Sequence, residues 1–219
     1  MKLFFPVFLL IILALAIYPF IDNDDAPKKL TGLPWQIEVL PDGKTRVFGI
    51  VPGGSTLAQA AKALGDDYEL ALVAKADSLS LEMYYSHYRA GLLSGKLVIA
   101  AKTSDEVLES LRQSAVKTEY MGDGKAKKLL LDEAGTQRAL QQLVDVMAFI
   151  PAVNLDDEII RQRFGEPAEL LHQPDGVAHY LYPVKGLDIA LSDSEKEVLQ
   201  YIAPAEFARL RQPLSPPEN

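Results

Sequence analysis

Gly49-Ile50-Val51-Pro52-Gly53-Gly54-Ser55-Thr56 is the stretch of this chain that comes nearest to a reactive motif. It follows a strand-like run, opens a helix-like run, and matches the phosphate-cradling spacing G-x-x-x-x-G-K-[ST] at every place but one. Ser55 stands where that motif requires lysine. Without the cation the β- and γ-phosphates lose their main side-chain partner, and Pro52 removes one backbone donor from the cradle. A turn feeding a helix cap is the simpler use of these residues, so no nucleotide is expected to bind.

Nucleophilic and metal chemistry have less to build on. Ser55 is not in G-x-S-x-G, because Leu57 replaces the final glycine. The three histidines are His87, His172 and His179. His172 and His179 flank the turn Pro174-Asp175-Gly176 on runs that read as paired strands, with Asp175 and Asp188 close in sequence. A metal needs three or four convergent ligands with outer support, so no metal, cofactor or catalytic residue is assigned. Asp66-Asp67 borders a helix end, and Asp156-Asp157 falls in a helix first turn, where it suits the macrodipole. Lys125, Lys127 and Lys128 beside Gly122-Asp123-Gly124 read as charges that keep an edge strand from pairing with other chains.

Tyr84, Tyr85 and Tyr88 are the more informative cluster. Strict alternation along Leu79–Tyr88 puts Leu81, Met83 and Tyr85 on a core face, and Glu82, Tyr84, Ser86 and Tyr88 on the other. Tyrosine is enriched where proteins meet, so Tyr84 and Tyr88 are the expected partner-binding residues.

The elements that must position these residues alternate between short strands and short helices. Gln36–Leu40 and Lys44–Val51 read as a hairpin around Pro41-Asp42-Gly43, and Ser55 or Thr56 caps a helix with Leu57, Ala60, Ala61 and Leu64 on one stripe. Tyr68–Lys75, Leu79–Tyr88 and Gly95–Ala101 read as a meander, and Thr103 with Glu106 as a capping box before Val107, Leu108 and Leu111. A hairpin follows at Thr118–Met121 and Lys125–Leu131. Next comes a helix from Thr136 with Leu140, Leu143, Val144 and Met147 on one face, stopped by Pro151. Asn154 caps a helix carrying Ile159, Ile160 and Phe164, and strands read at Glu169–Gln173, Val177–Pro183, Leu187–Ser192 and Glu197–Ile202. The run from Ala60 to Leu70 aligns with Ile160 to Leu170, Tyr84-Tyr85 with Tyr180 and Tyr182, and Gly91-Leu92 with Gly186-Leu187.

The segment Leu3–Ile21 contains no charged residue. As a helix it spans about 28 Å, close to the roughly 30 Å hydrocarbon core of a bilayer. A cleaved signal would end near Ala14 and Ala16, but apolar character continues through Ile17, Phe20 and Ile21 with an interfacial Tyr18, so an uncleaved anchor over 1–21 is expected. A polar tether follows over 22–34. Lys2 against Lys28 and Lys29 gives a near balance of flanking charge, and the orientation assigned is amino terminus inside, body outside. The absence of cysteine means no disulfide, no thiolate metal site and no Cys-borne lipid. A net charge of −8 leaves no basic footprint for nucleic acid.

Phe164-Gly165-Glu166-Pro167, the polar hairpin Gln173–Gly176, His179–Pro183 and Gly186–Ile189 resemble the BamE (SmpA/OmlA) and beta-lactamase-inhibitor-protein type of unit over 154–202, with a weaker echo at 55–101. That resemblance implies helices on an antiparallel sheet and a binding role in the bacterial envelope. BamE's lipidated cysteine has no counterpart here, so its outer-membrane assembly is not carried over. The expected fold is α+β: a transmembrane helix, two tandem units of helices on antiparallel meanders at 35–115 and 116–212, and a disordered tail over 213–219. The expected role is a non-enzymatic adaptor, single-pass in the inner membrane and facing the periplasm, with an envelope protein as partner. The alternative is a periplasmic hydrolase of peptidoglycan or peptides that uses acidic residues with His172 and His179.

Overall fold

Strands in this chain are apolar on alternate residues, and several are apolar on both, which requires a sheet with cover on more than one side. The computed structural model describes residues 31–76, 78–122, 124–192 and 194–215. The run 3–21 lies outside them, and among the described residues no helix is long and apolar enough to cross a membrane. A small hairpin, β1 (Glu38–Val39) and β2 (Thr45–Arg46), precedes α1 (Leu57–Leu64), β3 (Glu69–Lys75), β4 (Ser78–Ala90) and β5 (Leu93–Lys102). Then come α2 (Asp105–Gln113), β6 (Ala115–Met121), β7 (Ala126–Leu131), α3 (Glu133–Leu140) and β8 (Leu143–Pro151). The chain continues as α4 (Asp157–Phe164), β9 (Glu169–His172), β10 (Ala178–Tyr182), β11 (Leu187–Leu191), β12 (Val198–Ile202) and α5 (Ala208–Arg211).

Ten of these strands form one antiparallel sheet in the order β6-β7-β3-β4-β5-β8-β12-β11-β10-β9. This overturns the expected pair of α+β units with a meander each. β12 pairs with β11 on one side and with β8 on the other, so the two meanders are joined edge to edge. Two separate units would each leave an apolar strand with an unpaired row of backbone donors and acceptors.

The helix expected from Thr136 to Met147 is also corrected. α3 ends at Leu140, capped at its start by Asp132, whose Oδ1 accepts from Gly135 N at 2.6 Å, and Leu143–Pro151 is the central strand β8. A bulge at Asp145, where β8 slips one residue against β5, puts Val144 and Met147 on the same core face three residues apart, so this strand carries helical spacing. Two caps shift as well: Ser104, not Thr103, caps α2, and Asp156, not Asn154, caps α4.

Helices α1 to α4 all lie on one face, where Leu57, Leu111, Ala139, Ile160 and Phe164 share a single core with the sheet. Thr56 closes α1 with a reciprocal capping box to Gln59. Phe48 meets the rings of Phe149 on β8 and Tyr201 on β12 at 5.7 and 5.5 Å, bridging the seam between the two halves.

The halves repeat in register about that seam. Glu69↔Tyr84 and Leu70↔Met83 on β3–β4 recur as Glu169↔Leu181 and Leu170↔Tyr180 on β9–β10. Tyr85↔Leu97 on β4–β5 recurs as Tyr182↔Leu187, and Leu97↔Phe149 on β5–β8 recurs as Leu187↔Tyr201 on β11–β12. Across the seam Leu199↔Phe149 is matched by Tyr201↔Met147, which places a twofold pseudo-axis between β8 and β12. The helix ends obey it too. Tyr85 Oη donates to Gly65 O at 3.0 Å and Tyr182 Oη to Gly165 O at 2.9 Å, each glycine ending its helix at positive φ. Tyr85 is thus the counterpart of Tyr182, and Leu187 matches Leu97 rather than Leu92 because β4 and β5 extend further.

Candidate functional site

The glycine-rich loop spends its donors on the protein. Ile50 N bonds to Val47 O, Gly53 N to Val144 O, Gly54 N and Ser55 N to Val51 O, and Leu57 N to Gln142 O. Val51 N donates to Ser55 Oγ and Thr56 N to Gln59 Oε1. With Pro52 lacking an N–H, no donor from Ile50 to Leu57 is left to cradle a phosphate.

The histidines do not converge. His172 pairs with Ala178, and His179 with Leu171, so the two rings leave opposite faces of the sheet. His179 Nδ1 instead meets Asp188 Oδ2 at 2.9 Å, and this pair is buried. Among the described residues no group of three His, Cys, Asp or Glu is placed to hold a metal. Ser114-x-x-Lys117 has the spacing of a Ser–Lys dyad. Ser114 Oγ bonds to Ser110 O and accepts from Arg138, whereas Lys117 Nζ lies on Glu119 at 2.7 Å. Asp157 accepts from Arg161 and from Tyr180 Oη, and the Arg161 guanidinium, followed by Tyr180, holds its carboxyl below the usual range. The lysine cluster does not blunt an edge: β7 lies between β6 and β3, and Lys128 reaches Glu69 at 2.6 Å and Glu119 at 3.2 Å.

Tyr84 and Tyr88 part company. The register of β4 against β5 slips between Tyr85 and Tyr88, so the bulge at Ser86-His87 returns Tyr88 to the core face. There its ring meets Phe48 at 5.5 Å and Phe149 at 6.3 Å, and burial pushes its hydroxyl up to about 12. Tyr84 stays on the opposite face, away from α1 to α4.

Around Tyr84 that face forms a groove of about 430 Å³. Ala71 and Val73 of β3, Val98 of β5 and Ile150 of β8 make its apolar floor with the tyrosine ring. Glu69, Glu82, Lys96 and Lys128 make a polar rim. Lys128 is held charged above its ordinary range by its bond to Glu69, and Ser80 Oγ donates to Glu82 Oε1 at 2.6 Å. The sequence marked Tyr84 but not this floor. Its signal was present in Glu69-Leu70-Ala71-Leu72-Val73, a strand apolar on both faces.

The other half of this face is covered. The chain after β12 turns through Pro204–Glu206, α5 and Gln212–Leu214, and lays Phe207, Leu210 and Leu214 over Leu181, Ile202 and Leu171. Polar ties fix it: Lys102 Nζ to Glu206 at 2.5 Å, Arg209 to both oxygens of Asp145, Arg211 to both oxygens of Glu169, and Gln173 Nε2 to Leu214 O at 2.9 Å. Pro213 and Leu214, expected in a loose tail, therefore belong to the packed structure; 216–219 lie outside the described residues. Comparison of the chain with family models, with curated proteins and with solved structures finds no match.

Proposed function

We propose that this chain is a non-enzymatic binding protein of the bacterial envelope, held at a membrane by Leu3–Ile21, which takes a partner protein on the uncovered face of β3, β4, β5 and β8. The observation that carries this is the groove at Tyr84: an apolar floor with a charged rim, set on a sheet whose other half needs its own chain to cover the corresponding surface. Separation of His172 from His179 on opposite faces weighs against the hydrolase reading, because acid–base chemistry needs both groups within reach of one substrate atom. The test is in-cell crosslinking from a photoreactive side chain at position 84, with position 62 on the exposed side of α1 as control. The expected result is one discrete protein adduct from position 84, absent from position 62 and lost on Val98→Arg. Equal labelling from both positions, or none from position 84, overturns the reading.

A further inference from the structure

The pseudo-axis places the Tyr84 groove where the other half holds the C-terminal segment. In register, Tyr84 corresponds to Leu181, Ala71 to Leu171, Val98 to Asp188 and Ile150 to Ile202. Leu181, Leu171 and Ile202 are the residues on which Phe207 and Leu210 are seated, and with Phe207 in place Leu181 and Ile202 have almost no exposure. Glu69 likewise corresponds to Glu169, the carboxylate that receives the Arg211 guanidinium through two bonds. In the uncovered half Glu69 stands at the groove's rim with its side chain 59% exposed. One half thus shows the complex that the other half lacks.

We propose that the groove takes a short helical segment of a partner protein carrying Phe-x-x-Leu-Arg, seated as Phe207-Ala208-Arg209-Leu210-Arg211 is seated on the other half. This rests on the binding role proposed above and names its partner's chemistry. The aromatic ring enters between Tyr84 and Ile150, the leucine one turn later covers Ala71 and Val73, and the arginine reaches Glu69. A strand-adding peptide does not fit, since β3, β4, β5 and β8 are each paired on both sides and offer no free backbone row. A second copy of this chain is a poor source. Its own segment is already held through Lys102, Asp145 and Glu169.

The probe is a fluorescent synthetic peptide spanning residues 203–215, titrated by anisotropy against the full chain in detergent micelles. The expected result is saturable binding, weakened about tenfold or more by Phe→Ala in the peptide and by Tyr84→Arg or Val98→Arg in the protein. Tyr84→Ser serves as a milder variant, and melting curves establish that each variant is folded. Binding that survives all three protein variants marks exchange into the covered half and overturns the inference. So does concentration-dependent dimerisation of the chain in which one copy's segment occupies the other's groove. Absence of peptide binding while position 84 still crosslinks a partner overturns this inference and leaves the proposed function standing; absence of both removes the two together.

Discussion

Tyr84 and Tyr88 lie four residues apart on one strand and have opposite fates, and the cause is a single irregularity. Alternation predicts one face for both, but Ser86 and His87 together face one residue of β5, and the one extra residue is absorbed by a bulge that lets Tyr88 rejoin Tyr85 on the core face. Tyr88→Ala should cost about 3 kcal/mol in urea denaturation, as for a truncated core aromatic, while Tyr84→Ala should stay within about 0.5 kcal/mol. The Tyr88 hydroxyl adds a pH signature. Because burial raises its pKa to about 12 from the ordinary 10.0, its contribution to stability is complete below pH 10 and is lost as pH rises toward 12. Tyr88→Phe should remove that part of the alkaline loss, read by denaturation at stepped pH. Nothing in a local window announces the bulge; it exists because β5 fixes the register on both sides of it.

Among the elements, β8 and the C-terminal segment diverge most from what local pattern suggests. β8 is the strand that joins the halves, and its bulge at Asp145 brings Val144 and Met147, three residues apart, to the same core face, so that they fit helical spacing. The end of the segment after β12, from Pro213, looks like a Pro-rich tail, yet Phe207, Leu210 and Leu214 pack the segment on Leu181, Ile202 and Leu171. Phe207→Ala should destabilise the chain by about 3–5 kcal/mol or release the segment, seen as faster amide exchange at Leu210, whose N–H donates to Phe207 O. Acid should release it as well. The bond from Lys102, then that from Arg209, holds the Glu206 carboxyl below its ordinary range, so its contribution is present above that range and is lost as pH falls through the lowered value. Reduced protection at Leu210 on acidification, measured against the intrinsic exchange rate at each pH, with this pH dependence abolished by Glu206→Gln, is the expected outcome.

At the scale of the molecule the two halves share one sheet and one helix-side core, and they should unfold together. A single calorimetric transition is expected, with Phe48→Ala lowering it as a whole, because that ring touches β8 and β12 at once. Two resolved transitions would contradict the shared core. Much of this was legible in the chain itself. The cap before Leu57, the stripe of α1, the hairpin turns and the Ala60–Leu70 match to Ile160–Leu170 are written in spacing, since each cap, stripe and turn depends on neighbours within one or two turns. Tyr84 was legible for the same reason, being placed by alternation before the bulge. The joining of the meanders through β8 and β12, the return of Tyr88 to the core, the parting of His172 from His179 and the cover given by Phe207 were not. Each depends on which distant strand lies alongside, and that is decided only when the backbone donors of every strand find partners and both faces of the sheet are closed or left open.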